Sequence, residues 1–262
     1  MAGRELPPSS PFAADDGSAP AAVASALERF GRGAARVADV VTALAGTRVL
    51  VPVLASLDSA ETLLVAGTLH TVEKEASAGI VALRAPDGRT ALPVFSSVAA
   101  MTAWRPDARP VPSDIARAAL SAVSEGWELM VLDPGGPVTV LVPRPAVWAL
   151  AQQQTWVPAV VEGPDGPVVA DDVRAAVRRA VLAGVDTAVR GVAPATAGHG
   201  PVLGVDAVPG RRAEVAVTLT LAPGLDRATL DDLLRRAGEA LAADEVATAR
   251  IDSLEMRVLS GS

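Results

Sequence analysis

The sequence predicts an α+β fold of two small mixed domains, each a sheet with helices packed on it. Stretches with apolar residues at helical spacing alternate along the chain with short β-rich runs, which predicts both kinds of element. Turn signals such as Pro86-Asp87-Gly88 separate neighbouring β-rich runs, as they do in hairpins. A Pro/Gly-rich segment at 161–172 divides the 262 residues into two parts of domain size.

The predicted domain boundaries follow from composition. Residues 1–20 contain Pro, Ser, Gly and acidic residues without the apolar stretch of a signal peptide, so we expect a disordered tail. The first folded domain is predicted to span residues 21–160 and the second residues 173–262. Residues 161–172 are predicted to be the linker between them.

The N-terminal domain is predicted to open with helices. Residues 21–45 are rich in alanine and valine at helical spacing and are interrupted by glycines at 31–33, which predicts one or two helices. A buried strand follows at 48–56, and its Pro52 indicates an edge or a bulge. The segment 62–71 is a candidate for a further strand.

The middle of this domain is predicted to contain a hairpin and two helices. The runs 79–84 and 90–95 flank the Pro-Asp-Gly turn. Ser97 is placed to cap a helix with an apolar stripe, and the prolines at 106, 110 and 112 end that helix. Another helix is predicted to begin at Ser113 and to end at Gly126. The apolar stripe of the first helix consists of Val98, Met101 and Trp104.

The stretch LDPGGP (132–137) has the glycines of a phosphate-binding loop but lacks its context. Such a loop leads into a helix and needs a lysine nearby, whereas a β-rich run at 138–142 follows here. We therefore predict a hairpin turn. The next helix has Pro145 at its first position, and the residues that we expect it to bury are Val147, Trp148 and Leu150 or Ala151.

Beyond the linker the pattern predicts a helix at 171–182 and a C-terminal strand within 250–259. An amphipathic helix precedes that strand, with an apolar stripe from Leu230 to Leu241. Three apolar alternating runs between the two helices are predicted as strands. They are 187–192, 201–208 and 213–221.

Composition excludes several classes of function. The net charge of −7 argues against nucleic-acid binding, which needs a basic face. The absence of cysteine and the presence of two histidines exclude thiolate chemistry and multi-histidine metal sites. No catalytic motif such as G-x-S-x-G or H-E-x-x-H occurs. The sequence also contains no run of about 18 uncharged apolar residues, which is the length that a membrane span needs. We expect a cytoplasmic protein that is not an enzyme and needs no cofactor or metal.

Seven side chains are candidates for ligand or partner binding. Lys74 is the single lysine of an arginine-rich chain and lies between two acidic residues, which favours either a functional ammonium group or a solvated charge run. The serines after the second hairpin strand could bind a ligand or cap a helix, and the loop arginines could bind an anion or remain solvated. The seven candidates are Glu73, Lys74, Glu75, Ser96, Ser97, Arg105 and Arg109.

Five segments together resemble the SseB (enhanced serine sensitivity) family: VLVPVLA, EKEASAGIVAL, GRTALPVFSSVAAMTAWRPDARPVP, LDPGGP and VPRPAVWALA. They occur in family order between residues 48 and 153. Residues 173–262 resemble the C-terminal domain of that family in their order of elements. The resemblance implies a bacterial cytoplasmic α+β protein. It implies no activity, because the family name records a phenotype and no catalytic residues are established for the family.

Three functions are compatible with the sequence. The first is a non-catalytic interaction or regulatory protein whose N-terminal domain presents a surface to a protein partner. The second is a binding module for an amino-acid-like metabolite, in which Lys74 holds a carboxylate, Glu73 or Glu75 an amine, and the two serines line the cleft. The third is an enzyme of a type without a recognised motif. The identity of a partner and the oligomeric state are not predicted by the sequence.

Overall fold

The computed structural model describes residues 12, 14–54, 61–65, 68–73, 81–85, 87–189 and 201–261, with backbone alone for the strands between 61 and 73 and for 186–189. The chain divides into two compact units between Trp156 and Val157. The α+β prediction is confirmed, because both units combine a sheet with helices. No helix within the described ranges is long and apolar enough to cross a membrane.

The elements of unit 1 follow one another in this order: α1 (Ala21–Gly31), α2 (Val37–Leu44), β1 (Arg48–Val53), β2 (Glu61–Val65), β3 (Thr68–Glu73), β4 (Ala82–Arg84), β5 (Thr90–Val94), α3 (Val98–Trp104), β6 (Arg109–Asp114), α4 (Ile115–Ser124), β7 (Leu129–Leu132), β8 (Val140–Val142) and α5 (Arg144–Ala151). The helix pair near residue 33, the Pro-Asp-Gly hairpin and the LDPGGP hairpin are confirmed. The segment predicted as one strand at 62–71 is instead the hairpin of β2 and β3.

A six-stranded sheet in the order β2-β3-β4-β5-β7-β8 forms the centre of unit 1. Only β5 and β7 run parallel; the other neighbours are antiparallel. One face of the sheet packs against buried residues of α1, α2, α4 and α5, and the other against Leu54 and the partly buried Trp104 and Ala108. The parallel pair brings the carboxyl ends of β5 and β7 side by side.

Strand β6 occupies the segment that its prolines predicted to be a loop. It pairs antiparallel with β1 in a separate two-stranded ribbon. The amide of Ile115 donates to the Thr47 carbonyl, so in this ladder the odd-numbered residues of β6 bond to β1. Pro110 and Pro112 therefore lie at positions whose backbone nitrogen points away from β1, and no ladder bond is lost. Strand β1 follows the same rule, with Pro52 at an edge position as predicted.

The elements of unit 2 are β9 (Val160–Gly163), β10 (Gly166–Val169), α6 (Asp171–Val189), β11 (Val202–Pro209), β12 (Val215–Leu221), α7 (Arg227–Ala243), α8 (Glu245–Arg250) and β13 (Leu254–Ser260). Strands β11, β12 and β13 form a sheet in that order, with β11 antiparallel and β13 parallel to β12. The predicted amphipathic helix is confirmed as α7, which buries Leu233, Ala237 and Leu241.

The predicted linker at 161–172 is wrong. Strands β9 and β10 form an antiparallel hairpin there, and α6 begins at Asp171. Valines at 160, 161, 168 and 169 supply the strand residues, and Gly166 adopts φ +120° at the turn, so the glycines and prolines mark a tight hairpin. The chain divides earlier, after Trp156.

Two further predictions in unit 2 need correction. The run 187–192 was expected to be a strand, but residues 187–189 continue α6, and 190–192 lie outside the described residues. The six residues of α8 were not predicted, because a helix this short has too few turns to show a periodic stripe.

Candidate functional site

The carboxyl ends of β5 and β7 bring Ser96 and Asp133 together. The Ser96 amide donates a hydrogen bond of 2.7 Å to Asp133 Oδ1, and the Ser96 hydroxyl donates one of 2.7 Å to Oδ2. Ser96 is 5% exposed and Asp133 is 6% exposed, and they are the buried polar side chains of the described part of the chain. Their pairing satisfies both groups away from water.

Asp133 has a left-handed backbone, with φ at +50°. Its carbonyl accepts hydrogen bonds from the Gly136 amide at 3.2 Å and from the Thr139 hydroxyl at 2.9 Å, which close the turn into β8. Aspartate tolerates this conformation better than most residues because its short side chain can bond locally. LDPGGP is therefore a turn that places a carboxylate in the interior.

Burial raises the pKa of Asp133 above its ordinary value of 3.8, although the two hydrogen bonds from Ser96 act in the opposite direction. A buried carboxyl with a raised pKa is also a feature of functional sites. Here both carboxylate oxygens already accept bonds from Ser96, so the pair is arranged to hold β5 and β7 together.

Arg48 links this pair to the N-terminal segment. Its guanidinium donates to the Ser96 carbonyl at 2.8 Å, to the Ser18 carbonyl at 2.7 Å and to the Asp15 carboxylate. The hydrogen bond from Arg48 lowers the pKa of Asp15. The Gly17 carbonyl accepts a 2.9 Å bond from the Val98 amide at the start of α3.

The end of the predicted disordered tail is thus part of the fold. Residues 15–18, which we call the N-terminal strap, are held to unit 1 by Arg48 and by the first amide of α3. Composition alone favoured disorder because the segment is polar, but charge-assisted hydrogen bonds replace apolar burial as its anchor. Residues 1–11 and 13 lie outside the described part.

The sequence-predicted site residues are only partly brought together. Ser96 and Ser97 are adjacent, and Ser97 caps α3 by accepting from the Ala100 amide at 3.1 Å. Arg105 pairs with Asp107 at 3.1 Å, and the exposed Arg109 opens β6. Glu73 ends β3, where the backbone alone is described, and Lys74 and Glu75 lie outside the described residues. Their roles remain predictions.

Arg48 and Asp133 organise this site and were not among the residues predicted for it. Asp133 follows a fully buried strand and precedes Pro-Gly-Gly, a place where a turn reverses the chain at a sheet edge. That position could have indicated an inward-pointing carboxylate. Arg48 carried no signal, because its three oxygen partners lie 30 to 48 residues away in the chain.

A groove of about 470 Å³ lies between the end of α2, the start of α4 and the segment after α5. Its lining combines polar and apolar residues, and Gln153 in it has a left-handed backbone with φ +56°. Trp156 lines it and has a buried indole Nε1 with no hydrogen-bond partner among the described residues. The lining residues that matter below are Thr42, Asp114, Ala116, Gln153, Gln154 and Trp156.

Helices α4 and α5 pack side by side and expose large apolar side chains. Leu120 is 58% exposed and Trp148 is 45% exposed. The prediction that Trp148 is buried is wrong, whereas Val147 and Leu150 are buried as predicted. The buried residues of α5 are Pro145, Ala146, Val147 and Leu150, and at about 100° per residue Trp148 falls on the side of the helix opposite to them.

Charged residues flank these apolar side chains at helical spacing. The exposed Arg117 precedes Leu120 by three positions, and the half-buried Arg144 precedes Trp148 by four. Residues three or four apart lie on the same helix face. We call these four residues the α4–α5 face.

Within the described ranges, no cluster of three or more histidine or acidic side chains could hold a metal ion.

Comparison with known proteins adds one finding. Residues 22–149 match the family described as SseB protein N-terminal domain. The match begins at the second residue of α1 and ends within α5, so it covers the sheet, the Ser96–Asp133 pair and the α4–α5 face. No curated protein and no solved structure matches the chain.

Proposed function

We propose that this chain, whose residues 22–149 match the SseB protein N-terminal domain, is a non-catalytic regulatory protein that binds another protein. The binding surface is the α4–α5 face of that domain. The buried pair of Ser96 and Asp133 supports a role without catalysis. Both carboxylate oxygens of Asp133 accept hydrogen bonds from Ser96, so these groups bond to each other within the fold rather than to a substrate. A cytoplasmic location is part of this proposal.

Trp148 is the observation on which the proposal rests. A tryptophan that is 45% exposed leaves a large apolar surface in water, which is costly for a free protein and useful at an interface. Tryptophan and arginine are the residues most often found at the energetic centre of protein interfaces. The α4–α5 face offers both, with Leu120 on the neighbouring helix.

Charge defines the expected partner. The whole chain has a net charge of −7, yet the charged residues within helices α4 and α5 are the arginines at 117 and 144. A partner surface with apolar side chains and carboxylates complements this face, since opposite charges across an interface steer association. The expected partner is therefore an acidic-apolar protein surface.

The test is comparative affinity capture from cells of the protein's own organism. We expect at least one protein to bind the tagged wild type and to be recovered about tenfold less with Trp148→Ala, which is the effect of losing an interface anchor. Arg117→Glu should reduce recovery of the same protein. Quantitative mass spectrometry of the eluates measures both effects.

Val111→Ala is the matched control, because Val111 is a similarly exposed apolar residue of unit 1 at 46% exposure but lies on β6. Val111→Ala should recover the same proteins as the wild type, in the same amounts. Circular dichroism should show unchanged melting for Trp148→Ala. If Trp148→Ala and Val111→Ala recover the same proteins in the same amounts, the α4–α5 face is not the binding surface.

The groove beside Trp156 supports a second candidate function, the binding of a small polar molecule. Its volume of about 470 Å³ is that of a small-molecule site. The carboxylate of Asp114 and the amides of Gln153 and Gln154 suit a ligand with hydrogen-bond donors, such as the amine of an amino acid. This location replaces the cleft that the sequence placed around Lys74 and the serines as the place to test first.

Thermal shift against a panel of amino acids and small amines tests the groove. A ligand at about a hundredfold excess over its Kd should stabilise unit 1 by about 2.7 kcal/mol. Ala116→Phe fills the groove and should abolish this shift, whereas Ala99→Phe on α3 should leave it intact. A shift that persists in Ala116→Phe, or no shift with any compound, would rule out this site for the compounds tested.

A further inference from the structure

Strand β13 is an open edge of the unit 2 sheet. Within the described residues it pairs with β12 alone, and the sheet ends there. Its last residues are exposed, with Val258 at 43% and Leu259 at 51%. An edge strand with exposed apolar residues is a template for pairing with another strand.

The hydrogen bonds of the parallel ladder show which backbone groups remain available. The Val215 amide donates to the Ser253 carbonyl at 3.2 Å, and the Gly261 amide donates to the Leu221 carbonyl at 2.8 Å. Residues that bond to a given neighbour alternate along a strand, so the odd-numbered residues of β13 face β12. The even-numbered residues direct their amides and carbonyls to the open edge. They are Leu254, Met256, Val258 and Ser260.

The side chains of β13 divide between the two faces of the sheet. Leu254 and Met256 pack against the apolar core of unit 2. Glu255 and Arg257 lie on the opposite face, where they form an ion pair, and Glu255 also accepts the Arg211 amide at 2.8 Å. Glu255 and Arg257 are thus opposite charges two positions apart on one face of a free edge.

We propose that this edge is the site of self-association, in which β13 of a second copy pairs antiparallel with β13 about a twofold axis at Met256. In this register Glu255 lies opposite Arg257 of the second copy, and Leu254 opposite Val258 of the second copy. The two sheets join into one of six strands. A twofold interface requires such self-complementarity, in which residue i meets residue j and residue j meets residue i.

Charge selects this register over its neighbours. An axis at Glu255 would place two carboxylates directly opposite each other, and an axis at Arg257 would place two guanidiniums opposite each other. Like charges across adjacent strands are destabilising, whereas opposite charges stabilise the pair. An axis at Met256 also pairs residues whose free amides and carbonyls both face the edge, as an antiparallel ladder needs. The partner is therefore a second copy of this chain.

Variants that reverse the charge at residue 255 or 257 of the full-length chain test the proposal, with the fraction of dimer measured by sedimentation velocity. The wild type should dimerise, while Glu255→Arg and Arg257→Glu should each weaken the dimer by about tenfold or more, because each creates two like-charge pairs. An equimolar mixture of the two variants should form a heterodimer, since each like-charged edge then meets its opposite. An interaction confined to one chain cannot produce that recovery.

Val258→Pro provides a second test that depends on the backbone. The Val258 amide faces the open edge, so proline at this position removes a donor from the dimer ladder without removing one from the bonds to β12. Val258→Pro should be monomeric, and Val258→Ala, which keeps the amide, should remain a dimer. Circular dichroism should show both folded.

The proposal fails on any of four results. The wild type could be monomeric even at about 1 mM, a concentration that reveals weak affinity. Arg257→Glu could dimerise as well as the wild type, or the mixture of the two charge variants could stay monomeric. A folded Val258→Pro that dimerises normally would likewise exclude the β13 edge.

Discussion

Replacing Asp133 with alanine will lower the free energy of unfolding of unit 1 by about 3 kcal/mol, because it leaves the buried Ser96 amide without an acceptor and places alanine in a left-handed backbone. Urea titration followed by tryptophan fluorescence measures this change. The signal is specific to unit 1, since all four tryptophans, at 104, 127, 148 and 156, lie in it.

Two other variants at this position separate the effect of losing the side-chain acceptor from the effect of backbone strain. Asp133→Asn keeps an oxygen acceptor for the Ser96 amide and tolerates φ +50°, so we expect a loss of about 1 kcal/mol or less. Asp133→Gly removes the acceptor but relieves the backbone, and should be about 1 kcal/mol more stable than Asp133→Ala. Equal stability of the Ala and Asn variants would contradict the role given to the carboxylate.

The same carboxyl group makes stability depend on pH. Burial raises the folded-state pKa of Asp133 above 3.8, so the folded protein binds this proton more tightly than the unfolded chain does. The stabilisation that comes from this proton is therefore fully present below the pKa of Asp133 in the unfolded chain. It is lost as pH rises through the higher pKa of Asp133 in the folded protein. The stability of the wild type relative to Asp133→Asn should fall over that interval, and a constant difference would contradict it.

Replacing Arg48 with alanine will cost unit 1 about 2 kcal/mol, because its side chain is only 10% exposed and its guanidinium bonds to the Asp15 carboxylate and to two carbonyls. The N-terminal strap will also separate from α3. Hydrogen exchange with mass spectrometry should show loss of protection in peptides that contain the Val98 amide, which donates to Gly17.

Asp15→Asn is the matched control for Arg48→Ala. The double variant should lose less than the sum of the two single variants, because the residues share one interaction. Arg48 lowers the pKa of Asp15, so the stability from this pair is present above the unfolded pKa of 3.8 and lost as pH falls through the folded pKa. Additive losses, or unchanged exchange at Val98, would show that the strap is not held by Arg48.

The sequence predicted those parts of the fold that local chemistry determines. The Pro-Asp-Gly and LDPGGP turns, the Ser97 cap and the apolar stripe of α7 depend on residues close in the chain, and all are confirmed. The errors arose where distant residues decide. Strand β6 exists despite its prolines because the β1 ladder uses only its odd positions, and the hairpin β9–β10 resembled a linker because its glycines and prolines dominate its composition.

The candidate site was predictable to a smaller extent. Ser96 and Ser97 were selected because they follow a strand and begin a helix, but the burial of Ser96 depends on Asp133, which lies 37 residues later. Trp148 was assigned to the core since tryptophan is usually buried, and only the rotation of α5 relative to the sheet exposes it. Such rotations depend on how whole elements pack, which single-residue preferences do not encode.

The N-terminal strap also bears on where this domain starts. The family match begins at residue 22, whereas Arg48, inside the match, takes its acidic partner from Asp15, outside it. A fragment cut at residue 22 would keep the buried apolar core, which begins at Val23, and still lose the counter-ion of a nearly buried arginine. The physical domain is therefore longer than the homologous one, and relatives are best compared from the acidic residues upstream of α1.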